Sequence, residues 1–429
     1  MDQELDGGRQ ATAVGAAAMK RMKLCIRLVL AAWVTTACAQ PTVKVGIDVL
    51  RERNFDLLRG KRVGLITNPT GVASDLQSTV DILFNAPGVQ LVALFGPEHG
   101  VRGDVEAGKL VENYTDRATG LPVYSLYGAT RKPSRSMLRG LDVLVYDIQD
   151  IGVRSYTYIS TMGYAMEAAA ENGIEFIVLD RPNPLTGVRV EGPMLEERYK
   201  SFVGMYPIPY VYGMTVGELA RMVNNEGWLS NGIQCRLTVV PIEGWKRTMW
   251  WEETGLPWIP PSPNIPRSTT PMFYVMTGLL GELGTVNHGV GYSLPFELVG
   301  AAWIDAQRLA NHLNSRRLPG VEFRPTYYRP FNDQDTRYQG VQIHVTDRNT
   351  INLTAVQLHI LSALYVLLPE KNIYTRAKRE RIESFDKIFG TADIRHDLVT
   401  YTRVDDMLAK MNVKRAEFNK KREKYLLYE

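Results

Sequence analysis

Cysteine is almost missing from this chain, with three in 429 residues: Cys25, Cys38 and Cys235. The first two fall in an N-terminal apolar leader, which leaves one thiol beyond it and no internal disulfide. Cys235 stands in the strand-like run CRLTVVPI and reads as a buried, inert thiol. Histidine is scarce too, at six, and neither sign of charge dominates, with 50 basic against 46 acidic side chains. That balance gives no reason to expect nucleic acid or an anionic membrane surface as a partner. Four motifs are also absent, and each absence removes a chemistry. No G-x-G-x-x-G follows a strand-like run, which sets aside a dinucleotide cofactor, and no G-x-x-x-x-G-K-[ST] offers a phosphate-binding loop. There is no G-x-S-x-G for a serine hydrolase and no H-E-x-x-H for a zinc protease. What remains to do chemistry is carboxylates, with a histidine or two.

Long apolar runs are likewise few. One, LCIRLVLAAWVTTACAQ, follows Lys20, Arg21 and Lys23, is interrupted by Arg27, and ends in the small residues Ala37 and Ala39. A positive segment, an apolar segment and an A-x-A site read as a secretory signal peptide over 1–39, too short and broken to be a retained membrane span. Residues 1–18 read as an overcalled start, with Met19 or Met22 as initiator. Lipoprotein anchoring at Cys38 is the alternative, although Thr35 stands where such sites carry leucine. The expectation is an exported protein, periplasmic or in the outer envelope, with no transmembrane segment in the mature chain. Its oligomeric state is left open.

What is present is a regular alternation. RVGLIT (62–67), VQLVALF (89–95), DVLVYD (142–147) and IEFIVLD (174–180) are continuous apolar runs bounded by polar or glycine turns, as in strands buried on both faces. Between the last two, Ile159, Met162, Met166 and Ala169 share one helical face, with Ser155 as N-cap and Gly173 past the end. This β-α-β unit predicts an α/β fold: a Rossmann-like open parallel sheet over 40–234. A further helix is expected over 215–227 with a threonine cap, then a stiff loop over 256–273 that carries six prolines. A smaller α+β domain is expected over 235–429, with strands at GVEF and 340–347 and helices at 355–368 and the chain end.

In such sheets ligands bind beyond the carboxyl ends of the strands. The four runs lead into Asn68-Pro69-Thr70-Gly71, Gly96-Pro97-Glu98-His99-Gly100, Asp147-Ile148-Gln149-Asp150 with Arg154, and Asp180-Arg181-Pro182-Asn183. These loops should converge on one rim. Carboxylates suffice for glycoside cleavage, one protonated to donate to the leaving oxygen, the other ionised to activate water or attack. Glu98 is the candidate acid, and Asp147, Asp150 and Asp180 are candidates for the second carboxylate. A 2-acetamido sugar could instead supply its own carbonyl oxygen. Asp147 and Asp180 could equally cap or pin loops, with Arg154 and Arg181 as their ion-pair partners, and His99 could equally hold its loop. His288, in the glycine-rich TVNHGVGYSLPFE, is a candidate ligand contact, whereas His312, His344 and His359 read as structural.

GLITNPTGV (64–72), FGPEHGVRG (95–103), PVYSLYG (122–128), DVLVYDIQDIGVRSYTYISTM (142–162), VLDRPNP (178–184), VEGPML (190–195), PIPYVYGMTVGEL (207–219), PPSPNIP (260–266) and PFELVGA (295–301) resemble segments of a known family. It is the secreted exo-β-N-acetylmuramidase family of the NamZ/YbbC type, formerly a domain of unknown function. The resemblance spans roughly residues 45–429. It implies release of N-acetylmuramic acid from the non-reducing end of peptidoglycan-derived muropeptides or disaccharides, without a cofactor. It also implies Glu98 as the catalytic acid in a cleft between the two domains, and our reading of the rim adds Asp147 or Asp150 as assisting or positioning it. Substrate contacts are then expected from Asn68, His99, Arg102, Arg154, Asp180 and Arg181. Many relatives carry a glutamate and an arginine before the PFEL motif, where this chain reads TVNHGVGYSLPFE, so His288 and Tyr292 are expected to take over. Two rival readings are a metal-dependent hydrolase holding an ion with Glu98, His99, Asp147 and Asp150, and a non-catalytic wall-sugar binder.

Overall fold

Val63 and Leu65 point to one side of the first strand and Ile66 to the other, yet all three are buried. The same alternation runs through the neighbouring strands: Val143, Val145, Ile177 and Leu179 enter one core, and Leu144, Tyr146, Phe176 and Val178 enter another. Successive side chains of a strand face opposite ways, so a run apolar at every position needs cover on both faces. Helices supply it. Tyr158–Glu171 and Val216–Asn225 pack Met162, Met166, Leu219 and Met222 into the second core. Gly46–Glu52 and Thr79–Asn85 pack Val49, Leu50, Val80 and Leu83 into the first.

In this computed structural model, which describes residues 43–103, 112–367 and 373–429, the strands of the large sheet are β1 (Arg62–Thr67), β2 (Gln90–Gly96), β3 (Tyr114–Thr115), β4 (Pro122–Ser125), β5 (Val143–Asp147), β6 (Glu175–Leu179) and, after the small hairpin β7 (Glu191–Met194) and β8 (Pro209–Val211), β9 (Arg236–Val240). Their order is β3-β4-β2-β1-β5-β6-β9, with only the β3–β4 pair antiparallel. The chain runs outward from β1 to one edge, returns to β5, and runs to the other, so the reversal lies between β1 and β5. The loops after β1, β2, β5 and β6 therefore do leave from one edge. The fold is the expected Rossmann-like α/β arrangement.

Three local expectations are corrected. The cap position of helix Tyr158–Glu171 is Thr157, not Ser155, whose hydroxyl instead meets those of Tyr210 and Tyr274. Helix Thr270–Leu283 begins inside the proline-rich passage, because Pro271 sits in the first turn where its missing N–H costs no hydrogen bond. A boundary at 235 would also cut off β9, which pairs with β6 from Glu175↔Arg236 to Leu179↔Val240. The threonine cap at 215 is found, in a capping box with Glu218.

The C-terminal part is α+β: a three-stranded sheet ordered β10 (Leu298–Ala301), β12 (Tyr338–Val345), β11 (Val321–Tyr328), covered by helices that include Thr270–Leu283, Leu353–Leu367 and Arg379–Phe389. The last helix, Val404–Arg422, leads back to the large sheet, where Phe418 and Tyr425 enter its core and Tyr428 reaches Asp180. Residues Val43–Glu429 thus form one compact unit. Among the described residues no helix is long and apolar enough to cross a membrane. The leader over 1–39 and Cys38 lie outside the described residues. Cys235 is buried, and burial pushes its thiol up to about 12.

Candidate active site

Parallel pairing sets Gly96 of β2 opposite Ser125 of β4. Two residues further along each chain stand Glu98 and Tyr127. After β2 the backbone turns sharply: the Gly100 N–H donates to the Pro97 carbonyl at 3.0 Å, and His99 and Gly100 take φ values of 74° and 73°. Glycine adopts that left-handed conformation freely, but histidine is strained in it, a feature typical of functional turns. His99 is buried and Glu98 half-buried. The Tyr127 hydroxyl donates to the Glu98 carboxylate, and burial together with that charge pushes the phenol up to about 12.

Glu98 and His99 open into a cavity of about 550 Å³. From the large-sheet side it is lined by Tyr127, Arg131, Ser155–Tyr158 and Ser201–Val203, and from the C-terminal side by Ser262, Asn264, Ile265, Tyr274, Glu282, Phe296, Lys387 and Ile388. Aromatic rings build much of the wall. Tyr156 meets Tyr158 edge-on at 4.9 Å, and Tyr274 meets Phe296 at 5.0 Å. The Tyr158 hydroxyl donates to the Pro261 carbonyl at 2.5 Å, which ties the loop after β5 to the PPSPNIP segment. Burial holds the Tyr274 phenol up at about 12, with Glu282, Glu98 and Asp150 adding to the shift in the same direction. These phenols stay neutral at physiological pH. Glu282 is a second carboxyl on the cavity, raised by burial and opposed by Arg381 and a Ser384 hydrogen bond. A larger polar groove of about 1090 Å³, lined by Lys132–Ser134, Leu138–Leu141, Glu171, Asn172 and Ile174 among others, lies at the amino ends of β5 and β6, away from the four loops.

Most other residues singled out from sequence do not line this cavity, and their contacts say why. Asp147 is fully buried in a bidentate ion pair with Arg181, at 2.6 and 2.9 Å, and also accepts from the Thr79 hydroxyl at 2.5 Å. Arg181 spends its remaining reach on the Val72 carbonyl, so the pair stitches loops together beneath the site. Asp180 accepts from Thr215, Gly217, Tyr428 and its neighbour Arg181, which pins the start of helix Val216–Asn225 to the chain end. Arg154 is wholly buried and donates to four carbonyls, Pro193, Ile208, Ile388 and Phe389. Burial pulls it down to about 9, and it clamps the large-sheet part to the end of helix Arg379–Phe389. Arg102 lies in a bidentate pair with Asp116.

Asp150 is buried just behind the cavity. Tyr212 and the Gly152 N–H donate to one of its oxygens, the other has no partner, and burial raises the carboxyl to about 7. Asn68 turns its carbonyl oxygen to Thr70, while its amide adjoins the Tyr158 hydroxyl. His288 packs on Phe296 at 5.0 Å, with its ring held down to about 4 by burial, and Tyr292 sits with Tyr328 and Phe331. Neither lines the cavity. The four residues of the metal reading do not converge, and among the described residues no group of three or more His, Cys, Asp or Glu is arranged to hold an ion.

The residues missed from sequence are Tyr127, Arg131, Tyr156, Tyr158, Ser262, Asn264, Tyr274, Glu282 and Lys387. The PVYSLYG, SYTYIS and PPSPNIP segments carry five of them, so a signal was present in those segments as segments. Glu282 and Lys387 lie within helices and offered none.

Two family descriptions together match most of this chain: "Exo-beta-N-acetylmuramidase NamZ, N-terminal" over residues 63–269 and "Exo-beta-N-acetylmuramidase NamZ, C-terminal" over residues 272–428. The chain is 47% identical over 391 residues to the peptidoglycan beta-N-acetylmuramidase NamZ of Bacillus subtilis (strain 168), covering 91% of this chain and 92% of that protein. Two crystal structures of DUF1343 family proteins from Bacteroides fragilis NCTC 9343 share the fold. One has 51% identity and a TM-score of 0.86, the other 31% and 0.72, and each alignment covers 90% of this chain and 99% of the other.

Proposed function

The chain belongs to the exo-β-N-acetylmuramidase NamZ family, and we propose that it is a glycosidase releasing N-acetylmuramic acid from the non-reducing end of peptidoglycan fragments, with Glu98 as general acid. The observation that carries the assignment of Glu98 is its position on the cavity, at the end of β2, with the Tyr127 hydroxyl on its carboxylate. That hydrogen bond orients the carboxyl at the cavity wall, where it can donate to the glycosidic oxygen of the leaving sugar. The rings of Tyr156, Tyr158 and Tyr274 offer apolar faces to the pyranose, and their hydroxyls, with Ser262 and Asn264, offer hydrogen bonds.

The second group of the reaction is not Asp147 or Asp180, whose oxygens are held by their own partners. Two candidates remain at the cavity: the Glu282 carboxylate, and the sugar's own acetamido oxygen. The leader-like residues 1–39 support export to the envelope, where peptidoglycan lies.

The test uses protein recovered from the envelope, with its N terminus read by mass spectrometry, and a MurNAc-GlcNAc disaccharide. Wild type, Glu98→Gln and Glu282→Gln are compared with and without chelator. Chelator-insensitive release of muramic acid, reduced about 10²–10⁴-fold in Glu98→Gln, is the expected result. Retention of wild-type turnover within about tenfold by Glu98→Gln would remove Glu98 from the chemistry. A retained leader would overturn the export reading. Loss in Glu282→Gln would assign the second carboxylate, and its indifference would favour the acetamido route.

A further inference from the structure

N-acetylmuramic acid differs from N-acetylglucosamine by one lactyl ether, which carries a carboxylate. A site that selects the former needs a cation whose charge is not already spent. The arginines nearest the strand ends fail that requirement. Arg181 is committed to Asp147, Arg154 to four carbonyls, and Arg102 to Asp116. Two cations line the cavity itself, Arg131 after β4 and Lys387 in the last turn of helix Arg379–Phe389. Among the described residues neither forms an ion pair.

Arg131 is also prepared for an anion. Its guanidinium lies 4.3 Å from the centroid of the Phe202 ring, and Phe202 in turn stacks on Tyr164 at 6.1 Å and 9°. Stacking fixes the plane of the guanidinium while leaving its N–H edge open, and that edge matches a carboxylate with two parallel hydrogen bonds. Its charge partly offsets the rise of the Tyr127 phenol that bonds Glu98, so it acts close to the proposed proton donor. Lys387 adds a point charge from the other half of the chain.

We propose that Arg131, assisted by Lys387, binds the lactyl carboxylate and makes the cavity specific for the muramyl sugar. The proposal rests on the glycosidase reading above and names the specificity residues of that same site.

The test compares kcat/KM for a β-N-acetylmuraminide and for its lactyl methyl ester, both carrying the same chromogenic leaving group. The ester keeps the muramyl shape and loses only the charge. Wild type should prefer the acid. Arg131→Gln should lower that preference about tenfold to a hundredfold, the range of one or two charge-assisted hydrogen bonds. Arg131→Lys should restore part of it, and Arg131→Gln with Lys387→Gln should abolish it. Circular dichroism of each variant checks that it is folded. A wild type that does not distinguish acid from ester overturns the proposal, as does a folded double variant that still prefers the acid. If wild type cleaves neither substrate, the glycosidase reading itself has failed, which is a different result from either of these.

Discussion

Replacing Asp147 by asparagine separates a catalytic carboxylate from a structural one. The substitution keeps the shape and removes the charge. Arg181 would then stay buried, its Nε and Nη2 facing a neutral amide where they now meet two carboxylate oxygens at 2.6 and 2.9 Å. Both side chains are almost inaccessible, at 0% for Asp147 and 4% for Arg181. Breaking one partner of a buried pair costs about 3–5 kcal/mol, because the survivor's charge is left uncompensated. Removing both partners costs less, so Asp147→Asn combined with Arg181→Met should recover part of the loss. Urea unfolding at pH 7 gives the stabilities, and muramic-acid release at low temperature gives turnover per folded molecule. Asp147→Asn should lose stability in that range and keep turnover within about tenfold, since the side chain does not reach the cavity. A variant within about 1 kcal/mol of wild type that loses turnover more than about a hundredfold would refute the reasoning and return Asp147 to the chemistry.

Two further outcomes follow from buried charge. Burial raises the Asp150 carboxyl to about 7, above its value in the unfolded chain, so the folded protein keeps a proton that the unfolded chain gives up. Its stabilising contribution is full below about pH 4 and is lost as pH rises through about 7. Asp150→Asn cannot ionise and should gain on wild type by a few kcal/mol across that window in urea melts. Stability curves that run parallel from pH 4 to 8 would reject this. Arg154→Met leaves four buried carbonyls without their donor and should cost about 3 kcal/mol or more. Arg102→Ala, whose side chain is 34% exposed in its pair with Asp116, should cost only about 1 kcal/mol in the same melts. Equal losses in the two variants would contradict the contrast drawn between them.

The fold was legible because its signal is local. RVGLIT appears as β1 with five of its six residues buried, and VLVYD as β5 with all five buried, because an apolar run with no polar alternation has only a two-sided core to occupy. The capping box Thr215–Glu218 was equally local. Ser155 failed as a cap because its hydroxyl has tyrosine partners 55 and 119 residues away, which no window around it contains. The edge strand β9 was misassigned for a related reason. Its exposure pattern is mixed, and only pairing with β6 shows which sheet it completes.

The site was legible at Glu98 and misread around it, and both results have the same cause. A parallel sheet gathers every strand end at one edge, so charged residues there meet each other before they meet a ligand. Asp147 finds Arg181, and Asp180 finds Thr215, Gly217 and Tyr428, and a buried charge left without such partners would be costly. Glu98 differs because its turn carries it beside Tyr127 and onto the cavity wall. The opposite wall comes from residues 262–296 and 387–388, whose approach depends on helices that pack in a different core. Charge at a strand end therefore identified the edge of the sheet where the site lies, while the side chains that shape the site come from positions where sequence shows only a tyrosine in a loop or a lysine on a helix.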